Sequence, residues 1–152
     1  MSMNKEKVAI VTRLQLDAVD KKTAIKQIVE YLKVENFVTD KAKFIKEVFE
    51  RENILPTYIG HEIGLPHSQS DSVSKPVVAI GRLMHPIVWN DENKVKLIFL
   101  IAVPKKHKDN IHLKIIAKLS RMLMHEDFRQ ILLVEGDEKV REIMLKEGSL
   151  IE

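Results

Sequence analysis

The spacing of apolar residues changes along the chain, and these changes predict the order of helices and strands. A short apolar segment, Val8 to Leu16, comes first. From Asp20 to about Val34 the apolar residues recur at helical spacing, which predicts a helix with Asp20 as its N-cap. A second helix is predicted after Asp40, and its buried stripe would consist of Phe44, Ile45, Val48 and Phe49.

The middle of the chain has the pattern of buried strands. Asn53, Pro56 and Gly60 interrupt the second helix. Continuously apolar, β-rich runs then predict strands over residues 63–65, 77–83 and 95–103. The segment His67 to Lys75 is rich in Ser and Asp, so we expect it to form a polar loop at a strand end, where such folds often keep their chemistry.

Helical spacing returns from about Asp109 and continues to the end of the chain. The first of these helices should end near His125, a shorter one should cover 126–133, and the last should run from Asp137 toward a stop at Gly148. The first carries a broad apolar face made of Ile115, Ile116, Leu119, Met122 and Leu123. Buried strands between helices indicate an α/β sandwich.

Composition limits the classes of function. The 152 residues, 45% of them apolar, suit one globular domain covering 1–152, and 25 Lys and Arg against 22 Asp and Glu do not indicate nucleic-acid binding. The absence of cysteine excludes disulfides, thiolate metal sites and thiol nucleophiles. No run approaches the roughly 20 apolar residues that span a bilayer, and the start MSMNKEK lacks a signal peptide's apolar core. We therefore expect a cytoplasmic protein with no direct membrane insertion.

The segment TYIGHEIGLPH, Thr57 to His67, is the most informative part of the sequence. Pro66 fixes its own φ and biases Leu65 toward an extended conformation, so His67 should be held at a rigid strand exit. A lone histidine at a loop is more often structural than functional. The two glycines, the proline and the flanking apolar residues favour a functional role here.

This segment resembles the signature of the enzyme IIA family of the bacterial sugar phosphotransferase system, fructose/mannitol class, which runs approximately TGIGNGIAIPH. The matching residues are Thr57, Ile59, Gly60, Ile63, Pro66 and His67. The resemblance continues through residues 49–52, 75–89, 95–104 and 112–123. It implies a mixed central β-sheet with helices on both faces.

The resemblance also implies a function and a site. His67 would accept a phosphoryl group from the phosphohistidine of the carrier protein HPr and pass it to an enzyme IIB domain of a sugar permease, normally to a cysteine. Arg51 and His112 would position and neutralise the phosphoryl group. No metal and no cofactor are needed, because a neutral imidazole with a pKa near 6.5 is already a good nucleophile.

The positions of the two supporting residues are compatible with these roles. Arg51 shares the apolar face of the second helix, although it could instead form a surface pair with Glu50 or Glu52. His112 should point inward at the electropositive start of its helix, with Asp109 or Asn110 as cap, although a lone histidine there could be a core residue.

Three residues depart from the family pattern. Tyr58 replaces a common Gly, while His61 and Glu62 replace a common Asn and Gly. We expect Glu62 to face solvent, because a carboxylate turned inward would repel a phosphoryl group. The departures bear on the choice of partner more than on the phosphorylation site.

Other functions are less well supported by the sequence. A metal hydrolase built on His61, Glu62 and His67 would need its second histidine at the position of Leu65. A serine hydrolase using the residues that flank His67, namely Ser68, Ser70 and Asp71, lacks the G-x-S-x-G elbow, and we expect these residues to form a hydrated loop. The basic cluster 105–108 has no interleaved aromatic residues for nucleic acid.

The strongest alternative is a regulatory module of the same family, such as the nitrogen-related branch, in which phosphorylation controls protein contacts. Trp89 could contribute to a docking surface in either case, or simply pack in the core. The sugar is not readable from the sequence, since fructose, mannitol and galactitol permeases all fit.

Overall fold

A mixed β-sheet lies between two layers of helices. The structure, a computed structural model, describes residues 8–106 and 110–146. In chain order the elements are β1 Ala9–Leu16, α1 Lys21–Val34, α2 Lys41–Ile54, β2 Ile63–Gly64, β3 His67–Ser70, β4 Val77–Asn90, β5 Asn93–Pro104, α3 Ile111–Met122, α4 Glu126–Val134 and α5 Asp137–Lys146.

The sheet is organised around the long hairpin of β4 and β5. These two strands are antiparallel, and β1 runs parallel to β4 along its other edge. On the far side of β5, both β2 and β3 pair with it in parallel. The sheet order is therefore β1-β4-β5-β2, and β3 follows β2 along the same edge of β5. The predicted mixed sheet is confirmed.

Two hydrophobic cores cover the two faces of the sheet, as the predicted sandwich requires. Helices α1 and α2 pack on one face, and α3, α4 and α5 pack on the other. Strand β5 contributes to both cores, because Ile98 and Leu100 point to the first and Phe99 and Ile101 to the second. Burial on both faces explains why this strand reads as a continuous apolar run.

The predicted helix starts are confirmed, with a smaller buried stripe than expected on α2. Asp20 accepts a hydrogen bond from the Thr23 backbone N–H at 2.8 Å, and Asp40 caps α2 in the same way. On α2, Phe44 and Val48 are fully buried, whereas Ile45 and Phe49 are only partly buried. Gly148, the predicted stop of the last helix, lies outside the described residues.

Two strand predictions were wrong in extent. The expected polar loop at 67–75 begins instead with β3, in which His67 lies opposite Ile101 of β5. The edge of β5 supplies backbone hydrogen-bond partners, so this pairing needs no apolar alternation in β3. Strand β4 does not end at Leu83 but continues to Asn90, across an irregularity in its pairing between Arg82 and Ile87.

Candidate functional site

The structure brings the three predicted site residues together. Arg51, His67 and His112 line one open cavity of about 470 Å³. They come from the last turn of α2, the start of β3 and the first turn of α3. The remaining lining residues are Ser68, Gln69, Leu113 and Ile116. A cationic group and two imidazoles therefore surround a space open to an anionic ligand.

The ring of His67 is held in one orientation by the backbone. The carbonyl of Pro66 accepts a hydrogen bond from the Ile101 N–H at 3.0 Å, which fixes the chain just before the histidine. His67 Nδ1 lies 2.8 Å from the carbonyl oxygen of Leu65. A carbonyl oxygen can only accept, so Nδ1 carries the proton and Nε2 keeps its lone pair.

The surroundings of His67 keep its imidazole neutral. Burial lowers the pKa of His67 below its usual value of 6.5, and the positive charge of Arg51 lowers it further. The hydrogen bond to Leu65 and the negative charge of Glu52 act in the opposite direction but do not outweigh burial. A neutral ring with a free Nε2 is the nucleophilic form of histidine.

Arg51 and Glu52 diverge from the end of α2. The Arg51 guanidinium donates from Nη1 to the carbonyl oxygen of Leu55 at 2.9 Å, and it lines the cavity. The alternative expectation that Glu52 forms a surface pair with Arg51 is wrong, because Glu52 is buried and pairs with Lys21 at 2.8 Å. The guanidinium is thus directed to the site rather than to its neighbour's carboxylate.

His112 lies in the first turn of α3, as predicted. Burial lowers the pKa of His112, and the neighbouring His67 lowers it further. Its Nδ1 is buried and has no hydrogen-bond partner among the residues that the structure describes. Asn110 occupies the N-cap position with a left-handed φ of 51° but makes no side-chain capping bond. Asp109, the other proposed cap, lies outside the described ranges.

Glu52 is the residue of the site region that sequence reasoning missed. Its side chain is 2% exposed, and it accepts hydrogen bonds from the Thr57 N–H at 2.8 Å, the Thr57 hydroxyl at 2.6 Å and the Trp89 indole N–H at 2.9 Å. Its helical position was the available signal, since it follows Val48 by one turn on the buried face. Trp89 is buried too, so a docking role for it is wrong.

Two of the three departures from the family signature, His61 and Glu62, form the centre of a tight turn. His61 and Glu62 both have positive φ, 54° and 61°, and the Ile63 N–H donates to the Gly60 carbonyl at 3.0 Å. Positive φ at both central residues is the geometry that Asn-Gly favours. Glu62 is exposed, which confirms that it faces solvent.

The structure does not favour the serine hydrolase, the nucleic-acid site or the metal hydrolase considered from the sequence. Ser70 is fully buried and donates to Glu47 of α2, while its hydroxyl lies 2.7 Å from that of Ser72, so the hydrated loop expected here was wrong at these serines. Lys105 and Lys106 are exposed, and the rest of that basic cluster is outside the described residues. Across 8–106 and 110–146, no three His, Asp or Glu side chains are grouped to hold a metal ion.

No helix within these ranges is long and apolar enough to cross a membrane.

Comparison with known proteins agrees with the geometry. Residues 5–147 match the sequence model of the family described as "Phosphoenolpyruvate-dependent sugar phosphotransferase system, EIIA 2". The chain belongs to this EIIA family. Its relatives include the fructose-specific EIIA component of Haloferax volcanii, which is 39% identical over 110 residues, covering 70% of this chain and 71% of that protein.

Longer relatives carry the EIIA region as a small part of a larger protein. The fructose-specific EIIABC component of Mycoplasma pneumoniae is 35% identical over 114 residues. The match covers 74% of this chain but only 16% of that protein. Fusion of EIIA with other components is therefore found among the relatives of this domain.

Solved structures share the fold. Nitrogen regulatory protein IIA-Ntr from Neisseria meningitidis superposes with a TM-score of 0.77 and 25% identity, over 87% of this chain and 91% of that one. The mannitol IIA in a complex with phosphorylated IIB from Escherichia coli gives 0.75 and 23%, over 89% and 94%. At 23% identity, the match to the mannitol IIA shows the fold alone.

Proposed function

We propose that this EIIA domain carries a phosphoryl group on Nε2 of His67. It would receive the group from phospho-HPr and pass it to an enzyme IIB domain of a sugar permease, in the cytoplasm. The observation that carries the proposal is the hydrogen bond from His67 Nδ1 to the Leu65 carbonyl, in a cavity shared with Arg51 and His112. The family match over residues 5–147 supports treating 1–152 as a single EIIA domain.

The proposed transfer is a displacement at phosphorus. The Nε2 lone pair of His67 attacks the phosphoryl group of the donor phosphohistidine, a new P–N bond forms, and the donor imidazole leaves with the electrons of the old one. Positive charge develops on the His67 ring, and the Leu65 carbonyl that accepts from Nδ1 stabilises it. In the second transfer a IIB thiolate attacks phosphorus and the His67 imidazole is the leaving group.

Arg51 and His112 supply the electrostatic part of the mechanism. Phosphoryl transfer needs alignment and neutralisation of the phosphoryl oxygens more than covalent assistance. The Arg51 guanidinium has planar donors for those oxygens. His112 can donate an N–H from the start of α3, where unpaired backbone N–H groups favour an anion. Both act on charge, so loss of either should slow the transfer without removing the acceptor.

An apolar rim near the cavity supports macromolecular partners. We define this rim as the exposed side chains of Ile54, Leu55 and Leu113. Ile54 and Leu55 follow Arg51 at the end of α2, and Leu113 lines the cavity itself. Exposed apolar side chains beside a reactive group suit a contact with a protein donor or acceptor better than a small solute.

The names of the relatives favour the sugar-transport branch over the regulatory one. The archaeal and mycoplasmal relatives are both named fructose-specific components. We therefore propose a permease of the fructose class as the final acceptor system. Transfer to a fructose-class IIB domain discriminates the two branches, since a purely regulatory module would hold its phosphate in that assay.

The test is phosphorylation from labelled phosphoenolpyruvate with enzyme I and HPr. Wild type should gain an acid-labile, base-stable phosphate, and His67→Gln should gain none. His85→Gln is the matched control, because His85 is an exposed histidine of β4 outside the cavity lining. Absence of label on the wild type with active HPr, or label retained by His67→Gln, would contradict the proposal.

A further inference from the structure

We propose that Glu52 is a positioning residue for the transfer: its carboxylate orients the His67 ring through Thr57 and Leu65. This inference rests on the proposed role of His67. Glu52 does not line the cavity, so it would act through other residues rather than on the phosphoryl group.

The carboxylate of Glu52 is buried and fully engaged. It accepts from the Thr57 N–H and hydroxyl, from the Trp89 indole N–H and from Lys21, whose Nζ also lies 4.6 Å from the centre of the Trp89 ring. Burial raises the pKa of Glu52, but the hydrogen bonds from Lys21 and Thr57 outweigh it and keep the group ionised. A buried charge of this kind persists only where its partners are fixed.

A continuous series of hydrogen bonds connects this carboxylate to the reactive ring. Glu52 holds both donors of Thr57, and the Thr57 carbonyl accepts from the Leu65 N–H at 3.0 Å. The Leu65 carbonyl in turn accepts from His67 Nδ1 at 2.8 Å. The last bond selects the tautomer with Nε2 free, so the position of Glu52 determines which nitrogen is available as the nucleophile.

Glu52 also fixes the wall behind this segment through Trp89. The Trp89 ring lies directly against Gly64, where an ideal Cβ would stand 2.9 Å from two of its carbons. One carboxylate thus holds Thr57 by direct hydrogen bonds and Gly64 through the indole. Movement of Glu52 would release both ends of the segment that leads to His67.

The chemistry of the four donors requires a carboxylate at this position. Two oxygens with four lone-pair directions can accept from all of them. The isosteric Glu52→Gln removes the negative charge to which Lys21, Thr57 and Trp89 donate, and it makes no cavity, so their hydrogen bonds would be weakened. Thr57→Val removes one donor and keeps the backbone N–H, which makes it the milder perturbation.

The experiment compares wild type, Glu52→Gln, Thr57→Val and Glu50→Gln. Glu50 is an exposed glutamate of the same helix and serves as the matched control. Single-turnover transfer from phospho-HPr gives the rate, and ¹⁵N NMR of the unphosphorylated protein gives the His67 tautomer. We expect Glu52→Gln to be slower by about ten- to a hundredfold, with a larger Nε2–H population, and Glu50→Gln to match wild type.

Each outcome bears on Glu52 separately from the proposed function. A folded Glu52→Gln with the wild-type transfer rate and the wild-type His67 tautomer would overturn the inference. If Glu52→Gln does not fold, an unaltered His67 tautomer in Thr57→Val would overturn it instead. Thr57→Ser, which keeps the hydroxyl, should behave like wild type. If wild type itself takes no phosphate, the proposed function fails, while the tautomer measurement still decides whether Glu52 orients the ring.

Discussion

Replacing Gly64 with alanine should test how tightly the site is supported by Trp89. A Cβ built on Gly64 would lie 2.9 Å from Cε2 and Cζ2 of Trp89 and 3.1 Å from Cη2. Carbon atoms in ordinary contact are about 3.5–4.0 Å apart. The indole would have to retreat, yet it is 4% exposed and tied to Glu52 by a 2.9 Å hydrogen bond.

The expected cost follows from these contacts. Overpacking a buried site by one methyl group typically destabilises by about 1–3 kcal/mol. Straining a hydrogen bond to a charged acceptor adds a share of its roughly 1.5–3 kcal/mol. Since the same displacement causes both effects, we expect Gly64→Ala to lower the free energy of unfolding by about 2–4 kcal/mol.

Urea unfolding of Gly64→Ala and Gly136→Ala measures this cost. Gly136 is the control, because a Cβ there would meet no atom within 4 Å. Trp89→Phe removes the indole atoms that clash, so the double variant with Gly64→Ala should lose less stability than the two single changes added together. Equal free energies of unfolding for Gly64→Ala and Gly136→Ala would refute the packing argument, as would additive effects in the double variant.

Three further changes are predicted to act through charge or backbone strain. Arg51→Ala should slow transfer by about 10²–10³-fold and raise the pKa of His67, because the charge of Arg51 lowers that pKa. Arg51→Lys keeps the charge and should leave the pKa of His67 near its wild-type value. An NMR titration midpoint of His67 that Arg51→Ala does not move would contradict this. Glu62→Gly should raise the free energy of unfolding by about 0.5–1 kcal/mol, because relief of the positive φ, about 1–2 kcal/mol, exceeds the entropic cost of Gly, about 0.5–1 kcal/mol. A lower melting temperature of the variant by calorimetry would contradict this. Hydrogen bonds hold the pKa of Glu52 below its usual 4.5, so this carboxylate stabilises the fold fully above that pH and loses its effect as the pH falls through the lower folded pKa. Glu52→Gln should therefore flatten the loss of stability in acid, and an unchanged dependence of unfolding free energy on pH would contradict this.

The helices on one face of the sheet were predictable because their signals are local. Asp20 and Asp40 each precede an apolar pattern at helical spacing, and each caps the helix in the structure. The same holds for the double-faced burial of β5, which produces a continuous apolar run. Within the site, the TYIGHEIGLPH segment identified His67, and helical spacing put Arg51 near the buried face of α2.

The features that sequence reasoning missed depend on distant partners. Strand β3 has no apolar alternation, because its pairing is determined by the free edge of β5 rather than by a buried face. Helical spacing places Glu52 on the buried face of α2, but its donors Lys21, Thr57 and Trp89 come from α1, the loop after α2 and β4, so no local pattern shows what it bonds. No spacing rule joins such residues, and only the folded chain brings them together.

The role of His67 is tested most directly by locating the phosphorus on the protein. After phosphorylation through enzyme I and HPr, ¹⁵N–³¹P NMR of histidine-labelled protein identifies the bonded nitrogen. We predict phosphorus on Nε2 of His67, with Nδ1 still protonated and hydrogen-bonded to Leu65. Phosphorus on Nδ1 of His67, or on another histidine, would contradict it.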